Sequence, residues 1–358
     1  MTASDAISPA FEHTKRLLFQ PFRLGVWARI AVIALATGEF AGGGGAANAN
    51  LPSGGGSKEE LLARAGPLWE RLQEFLPWIV FGAVAVVALV VIVMYVASVF
   101  RFILLDAVLR DRHQIGGGWR RWQESGGSYF LWQVGFLFAF IGALAALGGA
   151  PVLLAYRAGV FRQPDQHVGV LVLGGLALFF LVLGLVLATM LIAAVAKDFV
   201  VPLMALENLR VLEGWRRLLP LLAVEKWAYA GYVLMKIVLA VGSAILFGII
   251  NLIVFLIVFI VFGIAGAALL LGGKAVGLEW NFYTIAAAVL AGGVVLAGLL
   301  YVISFVSSPA VVFFQAYALH FFSGRYPLLA MLLQPPLGAA PSGLSGTLPP
   351  PARGARLD

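Results

Sequence analysis

From Trp227 to Leu271 the chain carries a single charged side chain, Lys236. A helix rises 1.5 Å per residue, so this run far exceeds the roughly 20 residues that cross a 30 Å hydrocarbon layer. Further apolar runs lie at 24–41, 78–102, 129–154, 168–196 and 283–305. In hydrocarbon every backbone N–H and C=O must be satisfied within the chain, and single runs of this kind satisfy theirs as helices. The sequence therefore predicts an all-α integral membrane protein. Only 11% of its 358 residues are charged, against about 25% in a soluble domain. The net charge of +7 would suggest nucleic acid in a soluble protein. Here the positive-inside rule accounts for it, and no nucleic-acid partner is expected. The chain has no cysteine, which excludes disulfides, thiolate metal sites and Cys nucleophiles.

The six runs predict a six-helix bundle occupying residues 24–320. Residues 1–23 mix Phe11, Leu17, Leu18 and Phe22 with Lys15, Arg16 and Arg23 behind a Ser8-Pro9 helix start, the pattern of a helix lying in the membrane interface. Ala47-Asn48-Ala49 looks like a signal-peptide cleavage site. The long leader, Glu39 inside the apolar run and the wide gap before Ala47 favour a retained span. Residues 42–77 form an extracytoplasmic segment: a Gly-rich linker, then an amphipathic helix with Ser57 and Glu60 at capping-box spacing and Pro67 as a restart point. Residues 321–358 are a cytoplasmic tail, largely disordered and rich in Pro and Gly from Pro335. The fifth run could be two helices turning near Gly248–Asn251, but one long, bent or partly re-entrant element fits the repeat below better. Segments 1–29, 101–128, 197–228 and the region beyond 320 hold 17 of the 24 Lys and Arg, while 58–71, 157–162 and 274 hold 6. The first set is the cytoplasmic face, so both termini lie inside.

The tetrapeptide GWRR occurs at 118–121 and again at 214–217, 96 positions later. Similar residues precede both copies and aromatic re-entry follows both, which predicts an internal repeat of two spans joined by a GWRR loop. SSPAVVFFQAYALHFFSGRYPLL is a fainter third copy, with Pro309 on Pro202. Spans two, four and six should then end on one face. Trp119, Arg120, Arg121, Trp215, Arg216 and Arg217 are candidates for contact with anionic lipid headgroups or a partner protein. Plain interfacial anchoring is the simpler explanation, since Trp–Arg pairs are common at membrane edges.

Charge inside a span is a functional candidate by default. Glu39 lies ten residues past Arg29 and Lys236 ten past Lys226, so both should sit about 15 Å from the cytoplasmic edge. A Glu39–Lys236 pair between spans one and five follows, functional or merely structural, unless Lys236 snorkels to the interface. Lys197, Asp198, Glu207, Asn208 and Gln315 form a candidate polar cluster beside Pro202 and Pro309, where freed carbonyls could serve a ligand. Such residues also simply end helices at the water boundary. Gly142/Ala146, Ala145/Gly149, Ala244/Gly248 and Gly293/Ala297 are small-residue steps suited to close helix packing. The four histidines are scattered without metal-ligand spacing, and GGGSKEE lacks the phosphate-loop spacing. G-x-S-x-G, H-E-x-x-H and paired carboxylates at one depth are absent. An enzyme is not expected and no cofactor is implied.

With FEHTKRLLFQPF, the two GWRR segments and DFVVPLMALENLRVLEGWRR in place, the chain resembles an uncharacterised family of bacterial polytopic membrane proteins over residues 8–330. That family is loosely similar to the membrane domain accompanying some glycerophosphodiester phosphodiesterases. The resemblance implies a six-helix fold in the bacterial cytoplasmic (inner) membrane and supplies no catalytic residue. No phosphodiesterase domain accompanies these residues, so that chemistry is not implied. Two function classes remain: a non-catalytic lipid-interacting or scaffold protein, alone, as a homo-oligomer or with a membrane-protein partner, and a transporter or channel for a lipid-like or small solute.

Overall fold

The computed structural model describes residues 2–39, 58–112, 114–160, 164–275 and 281–333, and no strand occurs among them. The apolar fifth run becomes one helix, α8 (Lys226–Ala275), unbroken through Gly248–Asn251. The other long helices are α3 (Lys58–Arg110), α4 (Ile115–Arg157), α5 (Val168–Val195) and α9 (Phe282–Ser323). A π-helical turn (Ala196–Val200) carries α5 straight into α6 (Val201–Glu207). These give five helical stretches long and apolar enough to cross a membrane. The amphipathic stretch after residue 58 is continuous with its span, so the backbone of α3 passes through Pro67 without the expected restart. The linker at 40–57 lies outside the described residues.

The sixth expected span is a bent pair. Helices α1 (Ile7–Phe19) and α2 (Leu24–Thr37) meet at 119°. With 14 residues, α2 is about 21 Å long, short of a 30 Å crossing. Gly38 stops it: at φ 72° it adopts the left-handed cap conformation, and its N–H returns to the carbonyls of Ala34 and Leu35. Trp27 locks the bend by donating from Nε1 to the Leu18 carbonyl at 2.9 Å, with Phe19, Phe22 and Phe305 around its ring. α1 buries Ala10, Thr14 and Leu18 and leaves Phe11 and Phe19 exposed, as an interfacial helix should. A second amphipathic helix, α7 (Val211–Val224), lies between α6 and α8. Beyond residue 320, α9 runs to Ser323 and α10 (Pro327–Leu333) buries Leu329, while the Pro- and Gly-rich tail from Pro335 lies outside the described residues.

Packing is concentrated at one end of the long helices. The buried core joins α1 and α2 to the last turns of α3 and α9, the π turn, α6, α7 and the first turns of α4 and α8. Spans two, four and six thus end together, as alternate helices of any up-and-down bundle do. Outward of this end the residues of α5 are all unburied, as are those of α8 from Val233 to Ala268 and of α4 beyond Tyr129. The small-residue steps lie in this outer region. A Cβ added at Gly142, Gly149, Gly248 or Gly293 would meet nothing within 4 Å, so they do not hold the described helices together. Close approach is used at the other end instead.

Candidate functional site

The site begins with a proline. Pro202 lacks the N–H that would bond the Asp198 carbonyl, and its ring crowds that carbonyl. The helix responds by widening into the π turn at Ala196–Val200, a feature enriched at functional positions. Lys197 and Asp198, adjacent in sequence, are both drawn into the packed core from this turn. Lys197 Nζ lies 3.0 Å from Glu39 Oε1, just past the Gly38 cap of α2. Asp198 Oδ2 accepts from Lys236 of α8 and, at 3.0 Å, from the Tyr232 hydroxyl. Arg101 of α3 completes the group, donating from Nη1 to the Tyr129 hydroxyl at 3.0 Å with its guanidinium 5.6 Å from that ring's centroid. These side chains form the outer boundary of the core.

The sequence brings Glu39 and Lys236 to one depth, and the structure places both in this network. They do not form the expected pair: each bonds a residue of the π turn instead. Sequence reasoning missed Arg101, which lies one residue from the end of the 78–102 run and so counts with the cytoplasmic-face cations of 101–128. Helix α3 continues to Arg110, which sets Arg101 about 14 Å inside its end. The expected polar cluster divides. Glu207 lies ten residues past Lys197, at the end of α6, and bonds Arg217 at 2.9 Å and the Tyr326 hydroxyl. Burial and the Glu207 carboxylate push the Tyr326 phenol up to about 12. Asn208 caps α6 in the left-handed conformation at φ 53°. Gln315 is buried on α9 and belongs to neither group of hydrogen bonds.

Both GWRR segments are helical, correcting the expected loops. Gly118 N–H bonds the carbonyl of Gln114, the cap of α4, and Gly214 N–H bonds that of Arg210, the cap of α7. The glycines permit close contact, not a turn. A Cβ at Gly118 would lie 3.1 Å from Ile103, and one at Gly214 2.9 Å from Val200. In each copy the glycine is buried, the Trp half-buried and both Arg exposed. The tryptophans face protein rings: Trp119 meets Tyr95 and Phe100, and Trp215 meets Trp132. The second arginine is an intrachain partner in both, Arg121 with Asp106 at 2.8 Å and Arg217 with Glu207. Arg120 and Arg216 remain outward, and Arg216 lines a surface groove of about 890 Å³ with Glu124, Asn208, Arg210 and the apolar Trp132 and Leu212.

A second groove, of about 560 Å³, runs between α5, α7 and α8. Leu191, Val195, Leu222 and Val233 give it apolar walls, and Lys226, Trp215 and Tyr229 also line it. Trp215 Nε1 and the Tyr229 hydroxyl are buried without a hydrogen-bond partner. Elsewhere His13 and His320 meet edge to face at 5.6 Å, with His13 Nε2 donating to the Val108 carbonyl at 2.8 Å. Among the described residues no three His, Asp or Glu side chains converge in a way that could hold a metal ion.

Residues 1–332 match a family of unknown function (DUF7544). The chain belongs to that family. No curated protein and no solved structure matches it.

Proposed function

We propose that this chain is a non-catalytic, lipid-interacting protein of a bacterial cytoplasmic membrane, crossing it six times with both termini inside. The groove between α5, α7 and α8 carries the reading. Its apolar walls suit an acyl chain, its volume lies in the range of single-ligand pockets, and Lys226 supplies a cation for an anionic headgroup. The matched burial of the two GWRR copies supports a two-span repeat beneath this arrangement. The likeness to the membrane domain accompanying glycerophosphodiester phosphodiesterases belongs to the same reading and lends it no chemistry.

Native mass spectrometry of gently extracted protein tests this. Wild-type chain should retain one phospholipid that the paired replacement Lys226→Ala/Trp215→Leu loses. Equal lipid retention by both proteins, or none by either, overturns the assignment. A second reading, a transporter or channel for a lipid-like or small solute, is favoured by the charged network set about 14 Å inside the packed end of the helices. Solute flux in proteoliposomes that depends on Lys236 would select it.

A further inference from the structure

The buried network holds three cations, Arg101, Lys197 and Lys236, and two anions, Glu39 and Asp198. The two lysines are matched one to one by the carboxylates. Asp198 Oδ2 is already taken by Lys236 and Tyr232, and Glu39 Oε1 by Lys197. Arg101 hydrogen-bonds only a neutral phenol and senses the Glu39 and Asp198 carboxylates at longer range, so the five charges leave one positive charge over. It has five N–H donors, of which one bonds Tyr129, and its Nε is buried with no acceptor. No carboxylate among the described residues forms an ion pair with it. An arginine in an apolar span normally pairs with an anion or a set of carbonyls, because an unmatched charge there is unfavourable. A guanidinium is also the side chain whose forked donors fit a carboxylate or phosphate.

Access is partial: Glu39, Lys197 and Lys236 keep 12%, 15% and 12% of their side-chain surface exposed. None of these residues lines the α5–α7–α8 groove. We propose that the network is a binding site for one anionic oxyacid group, a carboxylate or phosphate, gripped by Arg101 and neutralising the surplus positive charge. Lys197 and Lys236 set the potential that draws it in, and Tyr129 orients the guanidinium. The inference does not rest on the lipid groove: an anion bound here leaves the groove's occupancy untouched, and the reverse.

The same anionic chemistry could arrive on a membrane amphiphile or as a free solute, so the test has two arms. Full-length protein in phosphatidylcholine nanodiscs is titrated with radiolabelled oleate in one arm and with radiolabelled inorganic phosphate in the other. Saturable binding of one probe at one per chain is expected, the probe that binds naming the source. Arg101→Gln should weaken it about 10- to 100-fold, the range for hydrogen bonds to a charged group. Arg101→Lys, which keeps the charge and loses the fork, should weaken it about 10-fold and serves if Arg101→Gln fails to fold. In the Lys226→Ala/Trp215→Leu background, which removes any oleate held in the groove, the Arg101-dependent binding should persist, separating this site from the groove. Absence of saturable binding of either probe to wild type, or equal binding by the Arg101→Lys protein, overturns the proposal.

Discussion

Gly126 of α4 is the tightest interhelical contact described for any glycine of this chain. A Cβ there would lie 2.7 Å from Val99 Cγ2, 2.8 Å from Val99 Cα and 3.1 Å from its nitrogen. The side chain of Val99 could turn away, but its backbone, inside α3, cannot. Restoring a contact of about 3.5 Å requires α3 and α4 to separate by about 0.7 Å. Overpacking of this kind costs about 1–3 kcal/mol. The same shift acts on the Arg101–Tyr129 bond, since Arg101 lies two residues past Val99 and Tyr129 three past Gly126. Stretching that 3.0 Å bond beyond useful range removes a hydrogen bond to a charged group, worth about 1.5–3 kcal/mol. Ala gains up to about 1 kcal/mol over Gly in a helix. Gly126→Ala should therefore destabilise the protein by about 2–5 kcal/mol on these figures. Gly127, its neighbour, has nothing within 4 Å, and Gly127→Ala should stabilise by up to about 1 kcal/mol. Both are read from unfolding in mixed detergent–SDS micelles, followed by tryptophan emission, because Trp132 stacks on Tyr129. A Gly126→Ala protein as stable as wild type, or two alanine variants that shift alike, refutes the reasoning.

Two further predictions concern the packed end. Asp106 is buried and bonds Arg121 at 2.8 Å and Arg110 at 3.4 Å, but both arginines are at least a third exposed. Asp106→Asn should therefore lower stability by only about 1 kcal/mol in the same titration, and a loss several times larger would mean that this pair is shielded from solvent. A reporter fused after residue 330 should give a cytoplasmic signal. An extracytoplasmic one would contradict six crossings with both ends inside.

Much of this architecture was legible because hydrocarbon leaves few choices. Run length alone located α3, α4, α5, α8 and α9, and the preference for one element at 227–271 matches an unbroken α8. Depth arithmetic put Glu39 and Lys236 at one level, but it could not choose their partners. That choice follows from the π turn, which lets Lys197 and Asp198 both reach the core, and a turn of that kind has no sequence signature beyond Pro202. Glycine misled in both directions. The Gly-rich start of α4 looked like a loop, yet packing on Ile103 outweighs the low helix propensity of Gly116–Gly118. The small-residue steps looked like packing seams, yet the glycines that touch a neighbouring helix are Gly118, Gly126 and Gly214. Arg101 stayed hidden because the apolar run ends at residue 102, which made it look like a boundary charge, whereas the helix continues to Arg110.

The ion pair between Glu39 and Lys197 ties the short α2 to the π turn, and exchanging its charges tests the buried network most directly. Glu39→Lys and Lys197→Glu should each leave little folded, monodisperse protein, since each puts like charges together away from water. The double exchange restores opposite charges at the same two positions and should recover most of the wild-type yield and unfolding midpoint. A double variant no better than the worse single one would contradict a network built on this pair.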